Sequence, residues 1–352
     1  YREPHFDRLR LFEVVLEASY KMRFNFSSEA KAVIKQVYLV DLDQPLTPVS
    51  YETLVTDILF QRDFKKLSGG EREFWYFNND FNEAPAFDRL TLLERVFETV
   101  SKIQDYSPRA KEVIKDVYDV DVDNLYEMTL EKLISDVLFQ KDLKNISEGR
   151  REYWYFNGEF GVPVFDQLNM LELILEAVAD IKEYSPEARA IVEDVFEINI
   201  SDLDEAGLET LVSDVFFQKD LKKLSGGERE YWYFNGNFEE PSFDRLPLFK
   251  EILEKTVVIR QADLSIKTAM SQVYGINVDD LTPETFEILV GLLFDREGKF
   301  IDLDEFLRLL PVVSIVIDAL NSPQNFIDRK FFVEWTTDRG KAGAKFDITD
   351  RA

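Results

Sequence analysis

The sequence predicts an all-α protein, a tandem array of four helical units of about 78–81 residues with three or four helices each. A Phe-Asp pair recurs at Phe6, Phe87, Phe165 and Phe243, with separations of 81, 78 and 78 residues. After each pair, apolar residues recur every three or four positions, which is the period of an α-helix. An aromatic run of nearly constant sequence closes the first three units. Self-similarity at a fixed period is the sequence signature of a stacked array.

The repeats divide the chain into six segments. Residues 1–5 match the end of a unit, residues 6–86, 87–164 and 165–242 are repeats 1 to 3, residues 243–320 are a divergent capping repeat 4, and residues 321–352 are a tail. We expect residues 1–5 to continue a unit of a longer array, the alternative being a start that only mimics a junction. The sequence "KFIDLDEFLRLLP" replaces the aromatic run in repeat 4, as expected of a terminal unit that has no following neighbour. The tail has two strand-like pieces around a Gly-rich turn, which predicts a short extended or β-like segment.

The first helix of each repeat is expected to begin at the Phe-Asp pair. In repeat 2, Asp88 is the predicted N-cap, and Phe87 would pack on Leu92 as a hydrophobic staple. The same offset occurs in the other three repeats.

The following helices have their own start signals. Ser107 and Pro108 have the order of an N-cap followed by the first helical residue, so they predict a second helix. A third helix is expected to start near Thr129, and residues 119–125 between the two are expected to form a short extended link. Pro311 is expected to kink or break the last helix.

Residues 222–236, "KKLSGGEREYWYFNG", contain five residues, "LSGGE" at 224–228, that resemble the signature motif of ABC-type ATPases. The phosphate-binding loop that such an enzyme needs ends in Gly-Lys-Ser or Gly-Lys-Thr, whereas Phe300 and Ala342 follow the two Gly-Lys pairs of this chain. Ser225 and Glu228 instead have the spacing of a capping box. This segment therefore predicts a fourth, short helix that carries the aromatic run, and nucleotide hydrolysis is not expected.

The aromatic run is the most distinctive feature of the repeats. Four consecutive rings on a helix point in every direction, so such a helix must be covered on all sides. We expect it to join one repeat to the next, while an aromatic groove for a peptide, pigment or glycan is the alternative. The predicted inter-repeat or partner contacts are Phe74, Trp75, Tyr76, Phe77, Tyr153, Trp154, Tyr155, Phe156, Tyr231, Trp232, Tyr233, Phe234 and Trp335.

Acidic residues at two places in the sequence give a weak indication of calcium binding. The link at residues 119–125 has the one, three and five positions of an EF-hand loop, but Asn124 replaces the turn glycine and Leu130 the bidentate glutamate. Repeat 4 contains a shortened version of such a loop. Carboxylates that simply solvate a link are the alternative interpretation. The weak metal-ligand candidates are Asp119, Asp121, Asp123, Asp295 and Glu305.

Composition narrows the possible functions. The 42 basic and 68 acidic residues give a net charge of −26, which argues against nucleic acid or an anionic membrane as partner and favours a basic one. The chain has no cysteine and a single histidine, His5, so neither thiolate nor Ser-His-Asp chemistry is expected. No apolar run reaches the length of a membrane span and no leader pattern is present, which predicts a soluble protein of the cytoplasm or an organelle lumen.

These observations predict a non-enzymatic, acidic helical-repeat scaffold or structural linker that mediates protein-protein interaction in a larger assembly. No cofactor is expected, and the expected partners are proteins, either basic ones or copies of this chain. The alternatives are a ligand-binding protein that uses the aromatic motif and a calcium-responsive, EF-hand-like protein.

Overall fold

Helices dominate the computed structural model, which describes residues 8–62, 74–77, 85–140, 153–157, 162–219, 231–236, 241–295, 297–321, 330–337 and 340–347. Over these residues the protein is all-α, with one helical pattern repeated along the chain, and the predicted fold class is confirmed.

Each of the first three repeats contains two longer helices and a short third helix that runs into a π-helical turn. Repeat 1 has α1 (Leu9–Asn25), α2 (Ser28–Tyr38), α3 (Pro48–Thr53) and π1 (Leu54–Leu59). Repeat 2 has α4 (Leu90–Gln104), α5 (Pro108–Tyr118), α6 (Glu127–Lys132) and π2 (Leu133–Leu138). Repeat 3 has α7 (Leu168–Lys182), α8 (Pro186–Phe196), α9 (Glu205–Thr210), π3 (Leu211–Phe216) and the short strands β1 (Asn235–Gly236) and β2 (Pro241–Ser242).

Repeat 4 keeps the helices and has no π-helical turn in its described residues. It contains α10 (Leu246–Arg260), α11 (Leu264–Tyr274), α12 (Pro283–Leu292) and α13 (Leu303–Asn321). In the tail, β3 (Lys330–Thr337) and β4 (Gly340–Asp347) form an antiparallel pair in which Lys330 lies opposite Asp347. No helix in the described ranges combines the length and apolarity needed to cross a bilayer.

The second helix of each of the first three repeats begins at a serine cap. The Ser107 hydroxyl accepts the N–H of Ala110 at 3.2 Å, and Pro108 is the first helical residue. Ser27 and Ser185 cap α2 and α8 in the same way. The third helix of repeat 2 begins at Glu127, two residues before the predicted start. The predicted start of the second helix is therefore confirmed.

The prediction for the start of the first helix is wrong. Helix α4 begins at Leu90, and Arg89, not Asp88, is the N-cap, with no side-chain hydrogen bond to the helix. The ring of Phe87 lies 5.3 Å from that of Phe60 and 5.0 Å from that of Phe77. Phe87 is therefore two residues before the N-cap instead of one, and its ring contacts lie in the preceding repeat.

The predicted fourth helix is also wrong at the residues the structure describes. Residues 74–77, 153–156 and 231–234 form bends, with antiparallel bridges between Arg62 and Phe74 and between Lys219 and Tyr231. The predicted capping box at Ser225 lies outside the described residues. An extended, bent segment can direct successive rings to opposite sides, and this allows all of them to be covered at once.

Helix α13 continues through Pro311, so Pro311 does not break the helix, while the kink stays a prediction. One turn later the Ser314 hydroxyl donates a hydrogen bond to the side chain of Gln272 in α11, the helix on which α13 packs. Tertiary packing therefore supports a helix that lacks one backbone donor.

The chain forms two compact units, with a border that passes through repeat 3. One unit comprises Tyr1–Ile181, Ser201–Ser213 and Gly236–Phe243, and the other comprises Lys182–Ile200, Asp214–Asn235 and Asp244–Ala352. In the first unit α2 packs on α4, and in the second α8 packs on α10. Each unit therefore contains the same step, in which the second helix of one repeat packs on the first helix of the next.

Candidate interaction site at the aromatic segments

Three aromatic segments, residues 74–77, 153–156 and 231–234, are the candidate site. Eleven of their twelve side chains are buried, and Phe74 is partly buried. Trp75, Trp154 and Trp232 are among the largest fully covered side chains of the described structure. The protein's own chain therefore covers the rings that most resemble a ligand site in the sequence.

A backbone hydrogen bond anchors each segment to the second residue after the π-helical turn. The N–H of Trp75 donates to the carbonyl of Gln61 at 2.9 Å, and the equivalent bonds join Trp154 to Gln140 and Trp232 to Gln218, both at 2.7 Å. The π-helical turn sets this position, because the N–H groups of Phe60 and Phe139 bond to carbonyls five residues earlier.

The first and fourth rings of a segment enter a cluster that crosses a repeat boundary. In repeat 2 the ring of Phe139 lies 5.4 Å from that of Tyr153 and 5.2 Å from that of Phe156. Phe165, from the Phe-Asp pair of repeat 3, lies 5.6 Å from Phe139. Phe60, Phe74, Phe77 and Phe87 form the equivalent cluster between repeats 1 and 2. The aromatic rings therefore connect the end of one repeat to the start of the next.

The second and third rings reach the following repeat in a different direction. Trp75 lies edge-to-face on Phe139 at 5.5 Å, and Trp232 lies on Phe294 at 6.4 Å. Tyr233 lies 4.9 Å from Phe249 in α10. Each of these side chains is therefore covered in part by a residue from the next repeat.

Polar side chains of the next repeat hold the segment from outside. The side-chain amide of Asn157 donates to Asp166 at 3.1 Å, and that of Asn235 donates to Asp244 at 3.2 Å. Arg89 is buried and donates to the carbonyl of Trp75 at 3.4 Å. Local sequence patterns did not indicate this role, although an Asn nine residues before the repeated Asp is present in each of the first three repeats.

Three further polar contacts link neighbouring repeats near the second helix. The N–H of Ser27 donates to Glu94 at 3.0 Å, and the N–H of Ser107 donates to Glu172 at 3.1 Å. The hydroxyl of Tyr106 donates to the carbonyl of Leu168 at 2.6 Å. Their partners are 62 to 67 residues away, so no local pattern indicated them.

Burial dominates the electrostatics of these junctions. It raises the pKa of Tyr155 and that of Tyr233 well above the ordinary tyrosine value, and it raises the pKa of Tyr106 and Tyr118 as well. Removing a tyrosinate from water is unfavourable, so these hydroxyls remain protonated and neutral.

The carboxylates considered for calcium in repeat 2 take part in turns. Asp121 accepts the side-chain amide of Asn124 at 3.0 Å and the N–H of Asp123 at 3.2 Å, and the bond from Asn124 is the main cause of its lowered pKa. Asp123 pairs with Lys111 at 2.9 Å, and Asp119 lies 3.9 Å from Lys132.

The candidates in repeat 4 have similar surroundings. Asp295 accepts the N–H groups of Lys299 and Glu297 at 2.9 and 2.8 Å, and the bond from Lys299 is the main cause of its lowered pKa. Glu305 lies 3.9 Å from Arg308. Within the described parts of the chain, no three His, Cys, Asp or Glu side chains form a group that could hold a metal ion. Trp335, the remaining candidate contact, lies in β3 opposite Ala342.

Comparisons with protein-family models, curated proteins and solved structures found no match.

Proposed function

We propose that this protein is a non-enzymatic, acidic helical-repeat scaffold or structural linker that joins other proteins in a larger assembly. The observation that carries the proposal is the burial of the aromatic segments in their own chain. Trp75 is fully covered, and its ring contacts Phe139 of the next repeat. The motif then serves to connect repeats, and the remaining surface is available for partners.

The buried rings favour this function over a ligand groove. A small-molecule site is concave and must leave some of its aromatic lining open to the ligand. The rings of Tyr153, Trp154, Tyr155 and Phe156 are all buried, so a ligand would first have to separate the segment from its neighbours. That separation would forfeit about 1.5–3 kcal/mol for each large apolar side chain.

Charge suggests the chemistry of the partner. The net charge of −26 lies on a folded chain whose described core is apolar, so the excess acidic groups are at the surface. Such a surface steers basic proteins toward it and repels anionic polymers. Contacts of this kind weaken as salt screens the exposed charges.

Size-exclusion chromatography of the tagged chain from its native source tests the proposal. We expect the chain to elute with basic proteins in a complex at about 0.15 M salt and to lose part of them at about 0.5 M salt, because the Debye length shortens. Cross-linking followed by mass spectrometry identifies those neighbours directly. A chain that elutes alone as a monomer at the lower salt concentration contradicts the scaffold function. A tryptophan fluorescence change on adding a small molecule from the same extract would instead support the ligand-binding alternative.

A further inference from the structure

Helix α1 carries an exposed apolar stripe. Leu9, Phe12, Leu16 and Tyr20 are 61%, 57%, 44% and 61% exposed. Their spacing of three, four and four residues places them on one face of the helix. Phe24 extends the stripe, since its ring lies 4.6 Å from that of Tyr20. A contiguous exposed patch of this kind marks an interaction surface.

The stripe is separate from the face that α1 uses within its own repeat. Val14, Val15, Ala18 and Met22 of α1 are buried, and α1 packs on π1. The helix is therefore apolar on two sides. One side belongs to the core of repeat 1, and the other is open.

The equivalent stripe is covered in the later repeats. Phe12 corresponds in position to Leu93 of α4 and Phe249 of α10, which are 0% and 1% exposed. Leu16 corresponds to Phe97, which is also buried. The residue types are similar in the three helices, so the presence of a neighbour accounts for the difference in exposure.

That neighbour is the preceding repeat. Tyr38 of α2 lies 6.5 Å from Phe97 in an edge-to-face contact, and the N–H of Ser27 donates to Glu94. On α10, the covering elements include α8 and Tyr233 of the aromatic segment. The cover therefore consists of the second helix and the aromatic segment of one repeat.

Helix α1 retains the polar group that would complete this contact. Glu13 occupies the position of Glu94 and Glu172, whose carboxylates accept an N–H from the preceding repeat. The Glu13 carboxylate is 56% exposed and pairs with Arg10 within α1. The face thus has the apolar stripe and the acceptor that the other repeats use for docking.

The geometry points to α1 as the docking face for another helical repeat unit of this kind, which would cover it with its second helix and its aromatic segment. A second copy of this chain does not fit, because the segments at residues 74–77, 153–156 and 231–234 are already buried in their own chain. The inference rests on the proposed structural role in that it names one partner of the scaffold. Its test uses purified protein, so the docking inference can fail while chromatography from the native source still finds the scaffold in a complex. Equally, docking can be observed when no native complex is found.

The experiment adds one unit to the full chain. A copy of residues 165–237 is fused before Tyr1, so that Asn237 precedes Tyr1 as it precedes Phe238 in the chain. Hydrogen exchange of α1 is followed by mass spectrometry with and without the added unit. We expect α1 in the fusion to exchange at least about 10-fold more slowly, because docking removes its local openings.

Phe12→Glu provides the matched variant. In the chain without the fusion we expect Phe12→Glu to change the melting temperature by less than about 2 °C, because Phe12 is exposed. Leu93→Glu, at the equivalent covered position, should lower it by more than about 10 °C, because it buries a charge. In the fusion, Phe12→Glu should remove the added protection of α1.

Three results would overturn the inference. The first is equal hydrogen exchange of α1 in the fused and unfused chains. The second is a fusion whose added unit contributes no helical signal to circular dichroism. In the chain, repeat 3 is followed by another repeat, so α1 must supply that neighbour to the added copy if it is a docking face. The third is an unfused chain that dimerises and that Phe12→Glu makes monomeric, which would show that a second copy occupies the face.

Discussion

The indole ring of Trp75 in repeat 1 lies edge-to-face on the ring of Phe139 in repeat 2, with their centroids 5.5 Å apart. Trp75 is fully buried and Phe139 nearly so, and Phe139 also belongs to the ring cluster that joins repeats 2 and 3. One phenylalanine at the end of a π-helical turn therefore takes part in two repeat junctions. A change at either residue should affect the stability of the array beyond its own repeat.

Trp75→Ala should destabilise the protein by about 3–5 kcal/mol, because it removes a large buried side chain and leaves a cavity. The measurement is urea-induced unfolding followed by circular dichroism. In a double-mutant cycle with Phe139→Ala, we expect a coupling free energy of about 0.5–1.5 kcal/mol from the ring pair. Met128→Ala is the control, because Met128 is 72% exposed, and it should change stability by less than about 0.5 kcal/mol. Additive effects of the two core substitutions would show that the rings do not interact.

Asn157→Ala and Asp166→Ala should each cost about 0.5–1.5 kcal/mol, because each removes the side-chain hydrogen bond that holds the aromatic segment to the next repeat. The double variant should lose less than the sum of the two, and equilibrium unfolding of the four proteins measures the difference. The pair of Asn235 and Asp244 offers a second copy of the same experiment. If Asp166→Ala leaves the stability unchanged, the hydrogen bond from Asn157 does not stabilise the junction between the repeats.

Stability should fall steeply in alkali. Burial raises the pKa of Tyr155 and Tyr233 in the folded protein, so the folded chain keeps these hydroxyls protonated at a pH where the unfolded chain ionises them. Their contribution is complete below about pH 10 and is lost above it, with a slope of about 1.4 kcal/mol per pH unit for each tyrosine. Urea midpoints between about pH 8 and 12, together with tyrosinate absorbance, measure the slope.

Tyr233→Phe serves as the control for this prediction. The Tyr233 hydroxyl is fully buried and has no hydrogen-bond partner among the residues that the structure describes. Its removal should raise stability at neutral pH by about 1–3 kcal/mol, because an unsatisfied buried group is lost. The substitution should also reduce the slope of stability against pH in alkali by the contribution of one tyrosine. The exposed Tyr126→Phe should leave stability at neutral pH unchanged, and an equal gain in stability from the two variants would contradict the prediction.

The residue after the second helix should prefer glycine in every repeat. Leu39, Asp119, Glu197 and Gly275 have φ values of 59°, 51°, 55° and 72°, in the left-handed region. Leu39→Gly should stabilise the protein by about 0.5–1 kcal/mol, and Gly275→Ala should destabilise it by about 1 kcal/mol. A Cβ added at Gly275 meets no atom within 4 Å, so the loss would come from the backbone alone. Thermal unfolding measures both variants, and we expect the melting temperature to rise for Leu39→Gly and to fall for Gly275→Ala. Two shifts of the same sign would contradict this explanation.

The helices and their order were predictable because the signals for them are local. The period of three and four apolar residues, together with the Ser107 cap and Pro108, specifies helix type and start within one or two turns of chain. Repetition of these signals indicated an array before any contact was known. The left-handed residue at Leu39 was not predictable, because leucine does not favour that conformation.

The conformation of the aromatic segments could not be predicted from local sequence patterns. The spacing of Ser225 and Glu228, and the run of rings after them, is compatible with a capped helix, yet residues 231–234 are bent and extended. Asp166 has the position of an N-cap residue, yet its carboxylate accepts a hydrogen bond from Asn157 of the preceding repeat. In both cases a contact between repeats outweighs the local propensity, because burial of several rings is worth more than one cap.

The sequence was therefore sufficient for the repeat length, which follows from the recurrence of the same motifs along the chain. It was also sufficient for the helical class and the caps of the second helices, since those depend on residues three or four positions apart. Tertiary contacts settle how the repeats are joined and which face of α1 stays open. Tyr106 and Leu168 are 62 residues apart in the chain and 2.6 Å apart between hydroxyl and carbonyl oxygens. Such a pairing depends on the way whole helices pack, and no short stretch of sequence contains that information.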